Sequence, residues 1–287
     1  MQAIYDVPAP AKLNLFLHIT GQRDDGYHLL ESVFTLIDWH DTLHFELRQD
    51  GQITREDLSA PLPPDDLCTR AARALQHAGG THLGAHIGIY KRVPAQAGMG
   101  GGSSDAASTL LALNRLWGLN LPLSQLSAIG LKLGADIPFF LFGKMAFVSG
   151  IGDIIQPLDS QQLPPQATLA VVKPEAGLDT KEIFSNPFLK RDSKHATIED
   201  FAATHHQFGG NDLQPVAQAL CPEIKKVIDF LKSKEMDARM TGSGSAVFAQ
   251  MPHTADLTDA PSAWKIKVCK TLAVHPLVGW ATEKDIG

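Results

Sequence analysis

Residues 94–108, PAQAGMGGGSSDAAS, constrain the fold more than any other stretch of this chain. Gly98, Gly100, Gly101 and Gly102 fall within five positions and are followed by Ser103, Ser104 and a run of small residues. Glycine in ordered structure is costly because it loses the most conformational freedom. Such a run therefore marks a sharp turn or a close approach to a ligand. Before it, HLGAHIGIYKRVP reads as a strand. After it, apolar residues at 106, 107, 110, 111, 113 and 117 have helical spacing, with Gly118 as the stop. The glycines thus stand at a helix N-terminus, where backbone N–H groups are unpaired and carry partial positive charge. That arrangement suits a phosphate, with Ser103 and Ser104 capping the helix or donating to phosphate oxygens. A tight turn packed on a neighbour is the alternative.

The familiar nucleotide loops do not fit. No Gly-Lys-Ser/Thr follows, so this is not a Walker A loop, and a GxGxxG spacing fails at Ser103. The HRD and DFG elements of protein kinases are absent. A net charge of -6 argues against nucleic acid as a partner, since a phosphate backbone wants a basic surface. Cys68, Cys221 and Cys269 are far apart and form no CxxC pair, which fits a reducing cytoplasm. The twelve histidines show no ligand spacing, so no structural metal is expected. No secretory leader and no bilayer-length apolar run is apparent, and no membrane partner is expected.

Along the chain, strands and helices mix without steady βαβ alternation, which reads as α+β. KLNLFLHI alternates, placing Leu13, Leu15, Leu17 and Ile19 on one face and Lys12, Asn14, Phe16 and His18 on a mixed polar face. SVFTLIDWHDTLHFEL reads as two strands either side of Trp39–Asp41. MAFVSGIGDIIQPL reads as a hairpin, and PEIKKVIDFLKSK as an amphipathic helix. The polar, Pro-Pro-containing stretch 158–167 is the best candidate boundary, dividing the chain into units 1–158 and 159–287. Residues 176–212 read as polar and irregular, with mobility expected at 188–196.

Three motifs share an identity. PAQAGMGGGSSDAA resembles the Pro-x3-Gly-Leu-Gly-Gly-Gly-Ser-Ser motif of the GHMP kinases, with Met99 at the usual leucine position. PAPAKLNLFLHITGQRDDGYHLLESVF is similar to the family's N-terminal motif, and MTGSGSAVFA to its C-terminal glycine motif. GADIPFF and GIGD agree with them. The long first motif is closest to the branch whose acceptor is 4-diphosphocytidyl-2-C-methyl-D-erythritol, phosphorylated on its 2-hydroxyl in the non-mevalonate isoprenoid route.

The resemblance implies an N-terminal domain like ribosomal protein S5 domain 2, a C-terminal ferredoxin-like domain and a site in the cleft between them. It implies ATP as donor, with Mg²⁺ carried on the nucleotide. It assigns catalysis to Lys12 and Asp136. It assigns ATP binding to Lys91, Pro94, Gly98, Gly100, Gly101, Gly102, Ser103 and Ser104. It assigns the acceptor to Asn14, Tyr27, His28, Phe184, Thr241, Gly242 and Ser243, with Tyr27 and Phe184 stacking on cytosine. Taken alone, Asp136 reads sooner as a turn or capping aspartate than as a catalytic one, and Lys12 and Lys91 read equally as solvated lysines. Asp66 stands where the family often has asparagine, and Asp153 where close relatives often have glutamate. The rival readings are another small-molecule kinase of the family, of homoserine or mevalonate type, and a non-catalytic nucleotide-binding protein on the same fold. The DDGYH loop argues against the first, and retention of both Lys12 and Asp136 against the second.

Overall fold

The computed structural model describes residues 1–252 and 254–283. In chain order the first half holds β1 (Ala3–Gln22), β2 (His28–Arg48), β3 (Ile53–Asp57), α1 (Leu67–Ala78), β4 (Gly84–Tyr90), α2 (Gly101–Leu116), α3 (Leu123–Leu131), α4 (Ile137–Phe142), β5 (Ala146–Ser149) and β6 (Ile154–Pro157). The second half holds β7 (Thr168–Lys173), α5 (Thr180–Phe184), α6 (Ile198–Thr204), a short 3₁₀ turn at His205–Gln207, α7 (Gln214–Leu220), α8 (Pro222–Ser233), β8 (Ala238–Met240), β9 (Val247–Gln250) and β10 (Lys265–Leu272).

The stretch expected to be two strands around Trp39–Asp41 is one strand, β2. Its extended backbone persists because both edges are occupied. β1 runs antiparallel along one edge, while β5, β10 and β4 follow one another along the other. In the second half β7 lies between β10 and β9, and β9 pairs with β8. β10 and β2 meet through a short antiparallel contact, Thr271 opposite Ile37 and Leu272 opposite Leu36, which joins the halves into a continuous sheet.

Strict alternation in β1 also gives way. Register shifts against β2 fall between Pro10 and Lys12 and between Asn14 and Leu17. An irregularity of this kind re-aims the side chains that follow it. Leu13, Leu15 and Phe16 consequently share one buried cluster, while Leu17 and Ile19 join another. The face expected to be polar is buried too, and Lys12 and Asn14 lie within it.

Local chemistry explains the helices. Asp66 caps α1 by accepting from Cys68 N and Thr69 N, and Cys68, Ala71, Ala72 and Leu75 form its buried stripe. α8 opens on Pro222 and buries Ile224, Val227, Ile228 and Leu231. α2 is different: it is buried on nearly all sides, packed on the sheet by one face and on α1, α3 and α4 by others. Small residues at 104–108 permit that close packing.

The segment 176–212, expected to be irregular, contains α5 and α6. Its middle is anchored where mobility was expected. Ser193 N donates to Ile19 O (3.0 Å), its hydroxyl to Asp212 (2.6 Å), and Ala196 N to Glu31 (2.7 Å). The tail, assigned by sequence to the second unit, packs back on the first. Leu277 and Trp280 join the core under α1–α4, and Leu123 N donates to Thr282 O. No helix among the described residues is long and apolar enough to cross a membrane.

His275 lies in that returning tail and is buried; its Nδ1 accepts from Leu277 N (3.1 Å). Burial pushes its pKa from 6.5 down to about 4. The unfolded chain takes up a proton near its ordinary pKa, whereas the folded one refuses it until the depressed value. This contribution to stability is therefore complete above the unfolded pKa and lost as the pH falls through the folded one, a loss of about 3 kcal/mol in all. His275→Asn keeps an acceptor near Leu277 N but does not titrate. Urea melts at pH 7 and pH 4 should show the wild type losing more stability than this variant, by about that amount. Equal losses would remove His275 from the acid response.

Candidate active site

Loops at the junction of the halves enclose an open cleft of about 660 Å³. Its floor is the glycine turn and the start of α2. Gly100 is the N-cap, at φ +69°, and no side chain caps the helix. Gly101 and Gly102 follow as the first helical residues and line the cleft. The first-turn N–H groups have no intrahelical partner, so they present positive charge to whatever occupies the cleft.

The four glycines serve two purposes. Gly98 has φ +71°, and a Cβ there would stand 2.2 Å from Thr241 O and 2.8 Å from Gly244 N. Gly242 returns the contact: its Cβ would stand 2.6 Å from Gly98 O. Two backbone turns from opposite halves therefore touch, stitched by Ser245 N to Gln96 O (3.1 Å) and Ala246 N to Ala97 O (3.2 Å). At Gly100 a Cβ would strike the Phe140 ring at 2.9 Å. Close packing thus accounts for Gly98 and Gly100. Gly102 meets only Leu67 Cδ1, at 3.6 Å, and leaves room for an anion.

Ser104 does not face that space. It is fully buried, and its hydroxyl donates to Pro10 O (2.7 Å), because the fourth residue of α2 turns toward β1. Neither Ser103 nor Ser104 caps the helix, and Ser103 lies toward Gly134 rather than in the cleft lining. Pro94 does line the cleft.

Lys12 and Asp136 come together across the cleft, with Nζ 3.7 Å from Oδ2. Lys12 is nearly fully buried; its ammonium donates to Asn14 Oδ1 (2.6 Å) and sits 4.5 Å from the centre of the Phe34 ring. Burial lowers the Lys12 pKa, and Asp136 offsets part of that. Asp136 immediately precedes α4 but caps nothing, so its carboxylate is free for the cleft. Thr241 acts from behind: fully buried, it accepts from Asn14 N (2.9 Å) and so fixes the strand that carries Lys12. Gly242 and Ser243 reach the cleft, where the Ser243 hydroxyl is 2.7 Å from that of Thr180.

Lys91 lines the cleft but is not a solvated lysine. Its ammonium is clamped between the buried carboxylates of Asp41 and Asp105. Burial opposes its charge, but the two carboxylates outweigh burial and hold its pKa above the ordinary value. Burial pushes the Asp105 carboxyl up, Lys91 pulls it part of the way back, and Asp41 adds to the rise. Asp41 also accepts from Arg92 N and from Val93 N (2.8 Å), tying the end of β4 down ahead of the glycine turn. Sequence reasoning missed both aspartates. Asp41 lay hidden in an expected turn, and Asp105 in the shadow of the serines. Asp66, besides capping α1, forms an ion pair with Arg55 and lines the cleft.

At the other end Phe184 lines the cleft and packs on His28, with ring centroids 5.0 Å apart at 40°. His28 is held by Arg191, whose Nε donates to its Nε2 (2.9 Å). Burial, then the Arg191 charge, lower the His28 pKa. Tyr27, next to His28, is 60% exposed in a turn closed by Arg23 N donating to Tyr27 O (2.8 Å), and neither Tyr27 nor His28 is among the residues that line the cleft. Arg191 escaped the sequence reading because it falls in the stretch expected to be mobile.

The arrangement is a helix N-terminus open to an anion, with a buried lysine–aspartate pair beside it and an aromatic recess beyond. The chain that carries it is similar to known proteins. Residues 66–144 match the family described as GHMP kinases N terminal domain, and residues 189–269 match GHMP kinases C terminal. The chain is 68% identical over 280 residues to the 4-diphosphocytidyl-2-C-methyl-D-erythritol kinase of an Acidovorax species, covering 98% of this chain and 99% of that one. A crystal structure of 4-(cytidine 5'-diphospho)-2C-methyl-D-erythritol kinase superposes with a TM-score of 0.73 at 28% identity, covering 92% of this chain and 98% of the other. A homoserine kinase from Cytophaga hutchinsonii shares the fold, with a TM-score of 0.69 at 14% identity over 96% of each chain. The chain therefore belongs to the GHMP kinase family, in the branch of the 4-diphosphocytidyl-2-C-methyl-D-erythritol kinases.

Proposed function

We propose that this protein transfers the γ-phosphoryl group of ATP to the 2-hydroxyl of 4-diphosphocytidyl-2-C-methyl-D-erythritol, releasing ADP and the 2-phosphate. The observation that carries the reading is the Lys12–Asp136 pair, 3.7 Å apart beside the uncapped N-terminus of α2. The substrate identity rests on the relatives' names.

Phosphoryl transfer needs anchored phosphates, a positioned hydroxyl and relief of developing charge. The N–H groups of Gly101 and Gly102 at the start of α2 cradle the donor's phosphates. Asp136 accepts a hydrogen bond from the acceptor hydroxyl and receives its proton as the new O–P bond forms. Lys12, desolvated and held in place by Asn14, offsets negative charge on the moving phosphoryl group. Phosphate charge beside Lys12 favours its charged form against the burial that lowers its pKa. Lys91 is fully engaged by Asp41 and Asp105, so its part is to brace the nucleoside end of the cleft. Among the described residues no cluster of His, Cys, Asp or Glu could cage a metal. Mg²⁺ on the nucleotide's own phosphate oxygens needs no such cage. Phe184 and His28 receive the cytosine.

ADP release measured with the cytidine-linked alcohol, homoserine and mevalonate as acceptors tests the assignment: turnover should occur with the first alone. Asp136→Asn should keep ATP and acceptor binding and lose roughly 10²–10⁴-fold in kcat. Lys12→Met should also lose turnover, and the double variant far less than the product of the two, because the pair acts as a unit. Near-normal kcat in Asp136→Asn would remove it from the chemistry.

Stacking binds ground and transition states alike, so its loss should appear in KM. Phe184→Ala should raise the acceptor KM by roughly tenfold or more, on the scale of base–aromatic contacts, and leave KM for ATP unchanged. CMP should compete with the acceptor and not with ATP; competition with ATP alone would put the cytidine in the wrong end of the cleft.

A further inference from the structure

Arg191 makes four hydrogen bonds at the acceptor end of the cleft. Nη1 donates to Leu189 O (2.9 Å), Nη2 to Phe184 O (3.1 Å) and Asn186 O (3.0 Å), and Nε to His28 Nε2 (2.9 Å). The three carbonyl contacts fold the 184–191 segment around the guanidinium and set the Phe184 backbone. The fourth contact has a chemical consequence. A guanidinium only donates, so His28 Nε2 must be the lone-pair nitrogen. A neutral imidazole then carries its proton on Nδ1. His28 stays neutral because burial and the neighbouring guanidinium both oppose a second proton. Nδ1 has no protein partner among the described residues, on a ring that is otherwise buried and packed on Phe184.

We infer that Arg191 sets the tautomer of His28 and thereby makes the pocket select a pyrimidine whose N3 accepts a hydrogen bond, cytosine, over one whose N3 donates, uracil. The proposal rests on the cytidine reading of the acceptor given above. A fixed Nδ1–H donor pairs with the lone pair on cytosine N3. Against uracil it meets another N–H, which leaves two donors facing each other without a partner, the arrangement that most strongly penalises a wrong ligand. Arg191 touches neither reacting atom and is a positioning residue. Lysine could not replace it, because only the planar fork places an N–H on the imidazole and three carbonyls together.

Two measurements test this. The ¹⁵N spectrum of the wild-type protein should show His28 Nδ1 as the proton-bearing nitrogen and Nε2 as the lone-pair nitrogen. In Arg191→Met the proton should move toward Nε2. Calorimetry with CMP and UMP should show the wild-type preference for CMP reduced by about tenfold in the variant, the scale of one hydrogen bond, while KM for ATP stays unchanged. A wild-type proton on Nε2 would overturn the role of Arg191, and that spectrum needs no variant to fold. An unaltered CMP preference in a folded Arg191→Met would overturn it as well. Were neither CMP nor UMP to bind, the cytidine reading would fall and base selection with it, whatever the spectrum showed of the Arg191–His28 bond.

Discussion

The cleft depends on one contact between backbones. Gly98 and Gly242 come from turns more than a hundred residues apart, and neither has space for a Cβ. Gly98 would drive its Cβ into Thr241 O, and Gly242 into Gly98 O. Side chains would hold the turns apart, whereas glycines let hydrogen bonds from Ser245 to Gln96 and from Ala246 to Ala97 close the gap. Thr241, locked in the same turn, accepts from Asn14 N, and Asn14 in turn accepts from the Lys12 ammonium. The place of the buried lysine thus follows from a steric fact on the far side of the cleft. Both glycines adopt positive φ, so glycine is required there twice over, by conformation and by space.

Electrostatics follow from the same geometry. The protein is acidic overall, and the cleft sets Lys12, Lys91 and the positive end of α2 among the carboxylates of Asp66, Asp105, Asp136 and Asp179. The two lysines are held in different ways. Lys91 faces two buried carboxylates at once, and of the two Asp105 is the one whose pKa burial and its neighbour Asp41 push up. Lys12 has one carboxylate at 3.7 Å and a neutral amide closer by. Burial therefore weighs more heavily on Lys12, and the charge it lacks is one a phosphoryl group supplies. A clamped lysine holds the frame, and a less satisfied one is left for the reacting group.

What the sequence made legible was chemistry attached to backbone irregularity. The glycine turn, the α2 start, the hairpin at 146–157 and the amphipathic α8 carry their own signals, in glycine placement or helical period. So does the pair Lys12 and Asp136, but only through motif resemblance, since a strand lysine and a turn aspartate look ordinary in isolation. What was hidden depends on partners distant in the chain. The unity of β2 comes from neighbours on both edges. Asp41 matters because Lys91 lies fifty residues on, and Arg191 because His28 lies far behind it. The orientation of Ser104 was misread for a related reason. A hydroxyl beside a glycine turn suggests a phosphate, but helical geometry points the fourth residue inward, to Pro10.

The burial of α2 connects these levels. A helix that offers its N-terminus to an anion gains nothing if that end can swing away as the phosphate moves. α2 is gripped on the sheet side by β1, to which Ser104 and Ser108 donate at Pro10 and Pro8. Its other faces bear on α1, α3 and α4, and α4 directly follows Asp136. The strand bearing Lys12 and the helix that follows Asp136 are therefore packed against the same rod whose start forms the donor cradle. Small residues at Ser104–Ser108 let these elements approach, so the run of small side chains after the glycines is as much a part of the site as the glycines are. A larger residue there would spread donor, lysine and aspartate apart together, without touching any of them.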